Sequence, residues 1–292
     1  MPQQYHDRAQ NELTEYLVYG ELARRDKSPE NRALLEKLSA QEKSHYEFWK
    51  SLIPDVEVKP RMFDFYTTTL MRTILGVTFT TKFLESHEKQ AIATYETMLA
   101  AMPAPHRARL QEIINDEKSH EMSLIGRLKE KRVAYIGFIA LGLADAIVEI
   151  TGVHAGFLGV TRSTIIAGIA GIVVGFAAAI SMGSAAYMQS KQDPEKSAVI
   201  SAFTTALSYL GSVVLLALPY FLIRTMLAAF IISTSVGVLL LAGFTFYGAV
   251  IFDRKFMREF GEATSLMLGT ALATFVLGNI IGSVFHLTAS SF

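Results

Sequence analysis

Two copies of one tetrapeptide carry the chemistry of this sequence: Glu42-Lys43-Ser44-His45 and Glu117-Lys118-Ser119-His120. On a helix, Glu and His three apart share a face, so each pair can reach one metal ion. Two such pairs, joined by one Glu from each of two further helices, make a six-ligand site for two metal ions. The sequence offers those carboxylates. Glu12 stands seven residues before Tyr19 and Glu88 seven before Tyr95. The two Glu/Tyr pairs are 76 residues apart, and the two tetrapeptides 75. Duplication of a helix pair explains both offsets and nominates Glu12, Glu42, His45, Glu88, Glu117 and His120 as ligands. Glu15 and Glu85 are alternative or additional ligands, although surface charge is the commoner role for such residues. Four carboxylates and two imidazoles suit divalent iron, a di-iron site, with manganese as the alternative metal. Tyr19 and Tyr95 would lie one or two turns from the metals, as hydrogen-bond donors to the ligands. A lone Glu-x-x-His is most often a solvated helix face; its repetition with matching partners is what raises it to a site.

These residues need helices beneath them. The chain has 292 residues and no net charge, with a mean hydropathy of +0.31. The hydropathy is uneven: residues 1–130 are charge-rich, and residues 131–292 hold long apolar runs. This predicts one soluble domain, 1–130, followed by one membrane domain, 131–292. The segment Met1–Arg25 is polar, with no apolar central run, and does not read as a secretory signal. Cysteine is absent, which excludes disulfides, thiolate zinc sites, iron–sulfur clusters and a rubredoxin-type centre. A neutral chain carries no nucleic-acid signature.

Within 1–130 the pattern predicts helices over His6–Asp26, Glu30–Leu52, Arg61–Ala101 and His106–Arg132. Ser28-Pro29 starts the second helix, with Pro in the first turn. Pro54–Pro60 is a linker, and Gly76 is where the long third helix can break. Short outer connections and a longer middle one predict a ferritin-like four-helix bundle. The run Leu70–Phe83 is apolar but too short to span a bilayer. Bundle core or a dimer face is its simpler role, and contact with a membrane surface the alternative. Trp49 and Phe48 read as core or interface, and His87 as exposed.

In 131–292 five spans are expected: Val133–Val160, Ile165–Met188, Ala198–Leu222, Met226–Ile251 and Ala263–Leu287. Lys129, Lys131, Arg132, Lys191, Lys196, Arg254, Lys255 and Arg258 fall on one side, against Arg162 and Arg224 on the other. This puts the soluble domain in the cytoplasm and the C-terminus outside. Gly168-x-x-Gly171-x-x-x-Gly175 offers a smooth face for close helix contact. Asp145 and Glu149 are four apart in the first span, with His154 following. A carboxylate at mid-span costs about 3 kcal/mol on insertion scales, so such residues normally face a pathway. Met182 in the second span is a soft-ligand candidate beside them. Asn279 is packing or pathway lining, and His286 interfacial.

Two resemblances meet here. Residues 5–130 resemble the rubrerythrin/ferritin-like superfamily through Glu12, Glu42-x-x-His45, Glu88 and Glu117-x-x-His120. Without cysteines, the rubredoxin module of full rubrerythrins is missing. Residues 133–287 resemble the vacuolar iron transporter family, which exports Fe(II) or Mn(II) from the cytosol. The matching features are the five spans, Leu143-Ala144-Asp145-Ala146, Ser181-Met182-Gly183 with Tyr187, Pro219, and Gly278 to Gly282. That resemblance places Asp145 and Met182 in the metal pathway. Plant-type members carry a helical metal-binding insert between spans two and three, where this chain has only Gln189–Ser197. The N-terminal domain would then take over metal capture, a combination that resembles the membrane-bound ferritin type of exporter. The expectation is an all-α, multi-pass protein of the cytoplasmic membrane, a ferritin-like four-helix bundle followed by a five-helix transmembrane bundle. It would form a homodimer in lipid and export Fe(II) or Mn(II), the ion binding near Asp145, Glu149 and Met182 and protons replacing it at the two carboxylates. The alternatives are a membrane-anchored di-iron ferroxidase or peroxidase, and a sensor whose metal occupancy gates the membrane domain.

Overall fold

The computed structural model of the chain describes residues 2–119, 131–161 and 163–285. It is 88% helical, with no strand among the described residues. Two compact units divide it, Met1–Val133 and Ala134–Phe292. The first holds α1 (Pro2–Arg25), α2 (Pro29–Ser51), α3 (Met62–Leu75), α4 (Val77–Ala101) and α5 (Ala104–Ser119).

Local signals set these boundaries. Ser28 caps α2, its hydroxyl accepting from Asn31 N at 3.4 Å, with Pro29 in the first turn. Such a cap satisfies a helix donor that would otherwise be orphaned. At the other end of α2, Lys50 Nζ donates to the carbonyls of Ile53, Pro54 and Val56 and organises the following loop. That loop is then held to α1: Gln10 donates to Lys59 O at 2.8 Å, and Arg61 N to Thr14 Oγ1 at 2.9 Å.

The expected third helix, Arg61–Ala101, is two helices. Gly76 has φ 95° and ψ 165°, and it separates α3 from α4. An unbroken helix of that length would reach about 60 Å, against about 36 Å for α1. The break leaves α4, at 25 residues, matched to the 24 of α1 and the 23 of α2. It makes α3 part of the crossover. The helix starts keep the duplication visible: α1 shifted by 76 residues overlays α4, and Pro29 shifted by 75 falls on Ala104, where α5 begins.

The core of this unit lies in two apolar layers. One holds Ala9, Trp49, Tyr95, Met102, Leu110 and Ile114. The other holds Val18, Tyr19, Leu22, Leu35, Leu38 and Val77. Along α1 the chain passes from the first layer to the second; α2 and α4 both run from second to first, and α5 starts in the first. Parallel α2 and α4 require a crossover, as in ferritin-like folds. Glu12, Glu42, His45 and Glu85 fall between the layers on their helices, and Glu117 follows the first-layer residues of α5, so a polar stratum divides the core.

The second unit holds α6 (Lys131–Val160), α7 (Thr164–Ser190), α8 (Ala198–Leu222), α9 (Met226–Phe252) and α10 (Phe256–Val284). All five are long and apolar enough to cross a membrane. Ser163 and Ser197 cap α7 and α8. The fifth helix begins at Phe256, seven residues before the expected Ala263. Its first turns tolerate charge because Arg258 pairs with Glu262 at 2.9 Å and Arg254 with Glu259 at 3.6 Å. The glycine stripe of α7 lets neighbouring helices approach closely by receiving their side chains: Gly168 faces Tyr220 and Phe221, Gly171 the imidazole of His154, and Gly175 Val213. The close backbone approaches lie elsewhere, at Gly142 on Thr205 and at Gly156 on Gly278.

Candidate metal centre

Glu12, Glu42, His45 and Glu117 are all buried, and each offers a ligand atom within 4.8 Å of the others. They come from α1, α2 and α5. Each sits on its helix face at the level where apolar side chains give way. His45 Nδ1 is the hub. It lies 3.0 Å from Glu117 Oε1, 3.4 Å from Glu42 Oε2 and 3.7 Å from Glu12 Oε2. Its Nε2 lies 3.4 Å from Asp116 Oδ2, on the outer side. That contact orients the ring and leaves Nδ1 to the carboxylates.

Two tyrosines cross the bundle. Tyr95 on α4 donates to Glu12 Oε1 on α1. Tyr19 on α1 donates to Glu85 Oε1 on α4 at 2.9 Å. Glu85 is therefore buried and partnered. Glu15 is half-buried and lines a cavity of ≈ 70 Å³ together with Arg8, Asn11, Glu12, Ala91, Tyr95 and Glu117. Glu88 lies on α4, but its side chain is not among those described, and His120 lies outside the described residues.

Burial, then the charges of Glu12, Glu117 and Glu85, push the Glu15 carboxyl well above the usual range. Burial, then Glu117, does the same to Glu42. Burial works against a charged His45, but the carboxylates of Glu117, Glu12 and Glu42 gathered at Nδ1 outweigh that and hold the imidazole well above its usual range. The cluster thus binds protons tightly when no cation neutralises it, and a metal ion must displace them. The donor set fits a divalent cation that prefers oxygen and imidazole. Glu12 Oε2, buried without a hydrogen-bond partner, points the same way. Glu12, Glu42, His45 and Glu117 would hold the ion, and Glu15 lines the same cavity as Glu12 and Glu117.

A ferritin-like bundle with a buried carboxylate–imidazole cluster is a metal-handling domain, here in one chain with five apolar helices able to span a membrane. The sequence profile of the rubrerythrin family matches residues 9–126. This stretch is a rubrerythrin-type, ferritin-like domain. No curated protein and no solved structure matches the chain.

In the membrane unit, Asp145 and Glu149 lie partly buried on α6. Tyr209 on α8, fully buried, donates to Glu149 Oε2. Among the described residues no Lys or Arg pairs with either carboxylate. Met182 is partly buried against the cluster of Ala146, Ile150, Ala179 and Tyr209. Asn279 donates to Phe275 O of its own helix at 2.9 Å, so its side chain is a local bond. His286 lies outside the described residues.

Sequence reasoning missed Asp116 and Tyr209. Asp116 precedes a ligand, but neighbours on a helix point about 100° apart, so nothing in the sequence tied it to His45. Tyr209 is 60 residues from Glu149; its only signal was a phenol in an apolar span.

Proposed function

We propose that the chain exports divalent iron, or manganese, from the cytosol, taking up the ion at the soluble cluster and releasing it through the membrane unit. The observation that carries this reading is the Asp145/Glu149 pair in α6. Two carboxylates in one membrane helix, one of them hydrogen-bonded by Tyr209 and neither paired to a Lys or Arg among the described residues, have no use in an anchor. The resemblance of α6 to α10 to the vacuolar iron transporter family points to the same role for Asp145 and Met182. The soluble unit lies in the cytoplasm, on the side of the eight basic residues counted above, and the chain works as a dimer in the cell membrane.

The cycle follows from charge. Glu12, Glu42, His45 and Glu117 shed protons as they take the cation. Asp145 and Glu149, with Met182, receive it within the bilayer. Protons arriving from outside neutralise both carboxylates and free the ion. Iron held in the soluble cluster would also be open to oxidation there.

The test is Fe(II) or Mn(II) flux in proteoliposomes, with and without a pH gradient. Asp145→Ala should stop flux, and Glu117→Ala should slow or deregulate it. A flux independent of the pH gradient removes the proton coupling. One observation favours a second reading, a membrane-anchored di-iron ferroxidase: the ≈ 70 Å³ polar cavity beside Glu12, Glu117 and Tyr95 admits small molecules to the cluster. If neither substitution alters flux while Glu117→Ala abolishes Fe(II) oxidation, the ferroxidase is correct.

A further inference from the structure

The crossover helix α3 presents an apolar face to solvent. Phe63 is 78% exposed, Ile74 64%, Tyr66 63%, Leu70 59% and Met62 43%. At about 100° per residue these five fall on one arc of the helix, about 140° wide, shared only with Thr67 and Thr73. No charge lies on that arc. The opposite face fixes the register. Thr68 and Thr69 are buried, Phe65 packs on the layer of Val18, Leu22 and Leu35, and Arg72 pairs with Asp26 at 3.6 Å. The outward side chains therefore cannot turn inward.

The apolar run Leu70–Phe83 divides at Gly76 accordingly. Val77 and Phe79 go into the core, while Leu70 and Ile74 stay outside. A contiguous apolar face on a soluble unit marks a contact surface.

We propose that this face of α3 lies on the surface of the bilayer that the same chain spans, with its five apolar side chains at the boundary between headgroups and acyl chains. Two observations select lipid as the occupant. The chain carries five apolar helices able to cross a membrane, and only 11 residues separate Ser119, the end of α5, from Lys131, the start of α6. Even fully extended, that connection reaches about 40 Å, so the bilayer is present at high effective concentration. The face is also small. Fourteen residues of helix make a strip about 21 Å long and about 10 Å wide, and its five exposed apolar side chains alone fall short of the roughly 800 Å² of accessible surface per partner of a stable protein interface. Insertion at a membrane surface has no such minimum. The nearest charge, Asp64, is paired with Arg61 at 4.0 Å. The contact is thus apolar and independent of anionic lipid.

The chain contains no cysteine, so single reporters can be placed without background. Leu70→Cys, Ile74→Cys and, as control on the exposed side of α2, Glu36→Cys are each labelled with a small fluorophore in the full chain. The proteins are then placed in phosphatidylcholine nanodiscs. Emission of Trp49, the only tryptophan, verifies that each variant is folded. Lipids brominated on the acyl chains should quench positions 70 and 74 at least threefold more than position 36, and aqueous iodide should do the reverse. Equal iodide access at all three positions overturns the proposal. Shielding of 70 and 74 from iodide without quenching by brominated lipid also overturns it, and assigns the face to a protein, such as a second copy of the chain.

Discussion

His45 on α2 and Asp116 on α5 face each other, with 3.4 Å between Nε2 and Oδ2, while Glu117, the next residue, takes the other ring nitrogen at 3.0 Å. Consecutive residues of one helix thus grip both sides of one imidazole. Asp116 is at the rim, with its side chain 37% exposed, so it can be altered without opening the core. Asp116→Asn should lower affinity for Mn(II) or Fe(II) about 10- to 100-fold, the usual cost of losing an outer partner of a ligating histidine. Equilibrium dialysis with metal analysis reads this directly. Unchanged affinity would mean that Asp116 does not orient the ring.

Glu42 is fully buried among like charges. Glu42→Gln puts a neutral amide where the ionised carboxyl is disfavoured, so at pH 8 the metal-free protein should melt higher than wild type. The gain comes at the cost of metal. Wild type at 100 times its dissociation constant should be stabilised by about 2.7 kcal/mol, and the variant by far less. Thermal melts followed through Trp49, buried beside Tyr95 at 5.2 Å between ring centroids, check both halves.

The pH dependence should reverse on metal binding. Glu15 and Glu42 have folded-state pKa values raised above the ordinary 4.5, so above that pH the folded state holds more protons than the unfolded. Their contribution to stability is present at low pH and lost as pH rises. His45 has the same sign: its contribution is complete below 6.5 and declines above it. The metal-free ferritin-like unit should therefore be more stable at pH 5 than at pH 8. With metal bound the ligands are deprotonated in the folded state, and stability should rise over the same interval. Melting curves of Trp49 emission with chelator and with Mn(II) should cross; parallel curves would reject the cluster as a metal site.

Gly76 adopts φ 95° and ψ 165°, a conformation nearly closed to residues with a Cβ. Gly76→Ala should cost about 1–3 kcal/mol by that strain, and Trp49-detected urea unfolding measures it. A neutral outcome would mean that the chain between α3 and α4 can turn another way.

In the membrane unit, a Cβ on Gly278 would overlap the carbonyl of Gly156, whereas one on Gly248 would meet nothing within 4 Å. Gly278→Ala should therefore lower the thermal stability of the detergent-solubilised protein clearly, by about 1–3 kcal/mol or more, and Gly248→Ala should leave it near wild type. Equal effects would place the α6–α10 crossing elsewhere.

The sequence by itself determined the elements and the ligand types. Ser28-Pro29 marked the start of α2, the 75- and 76-residue offsets marked the duplicated helix pair, and hydropathy separated the two units. These are local or periodic properties, which a chain carries before it folds. It also determined that Glu42 and His45 share a helix face. Only tertiary structure decided which groups meet across helices. Tyr95 reaches Glu12 over 83 residues and Tyr19 reaches Glu85 over 66, Asp116 turns to His45, and Tyr209 turns to Glu149. The sequence marked Gly76 as a place where a long helix can break, and the fold uses that break to leave α4 the length of α1. Gly171 accepts an imidazole because His154 points at it from α6. Such pairings depend on the rotation and offset of packed helices, fixed by the whole core at once, and no spacing along the chain encodes them.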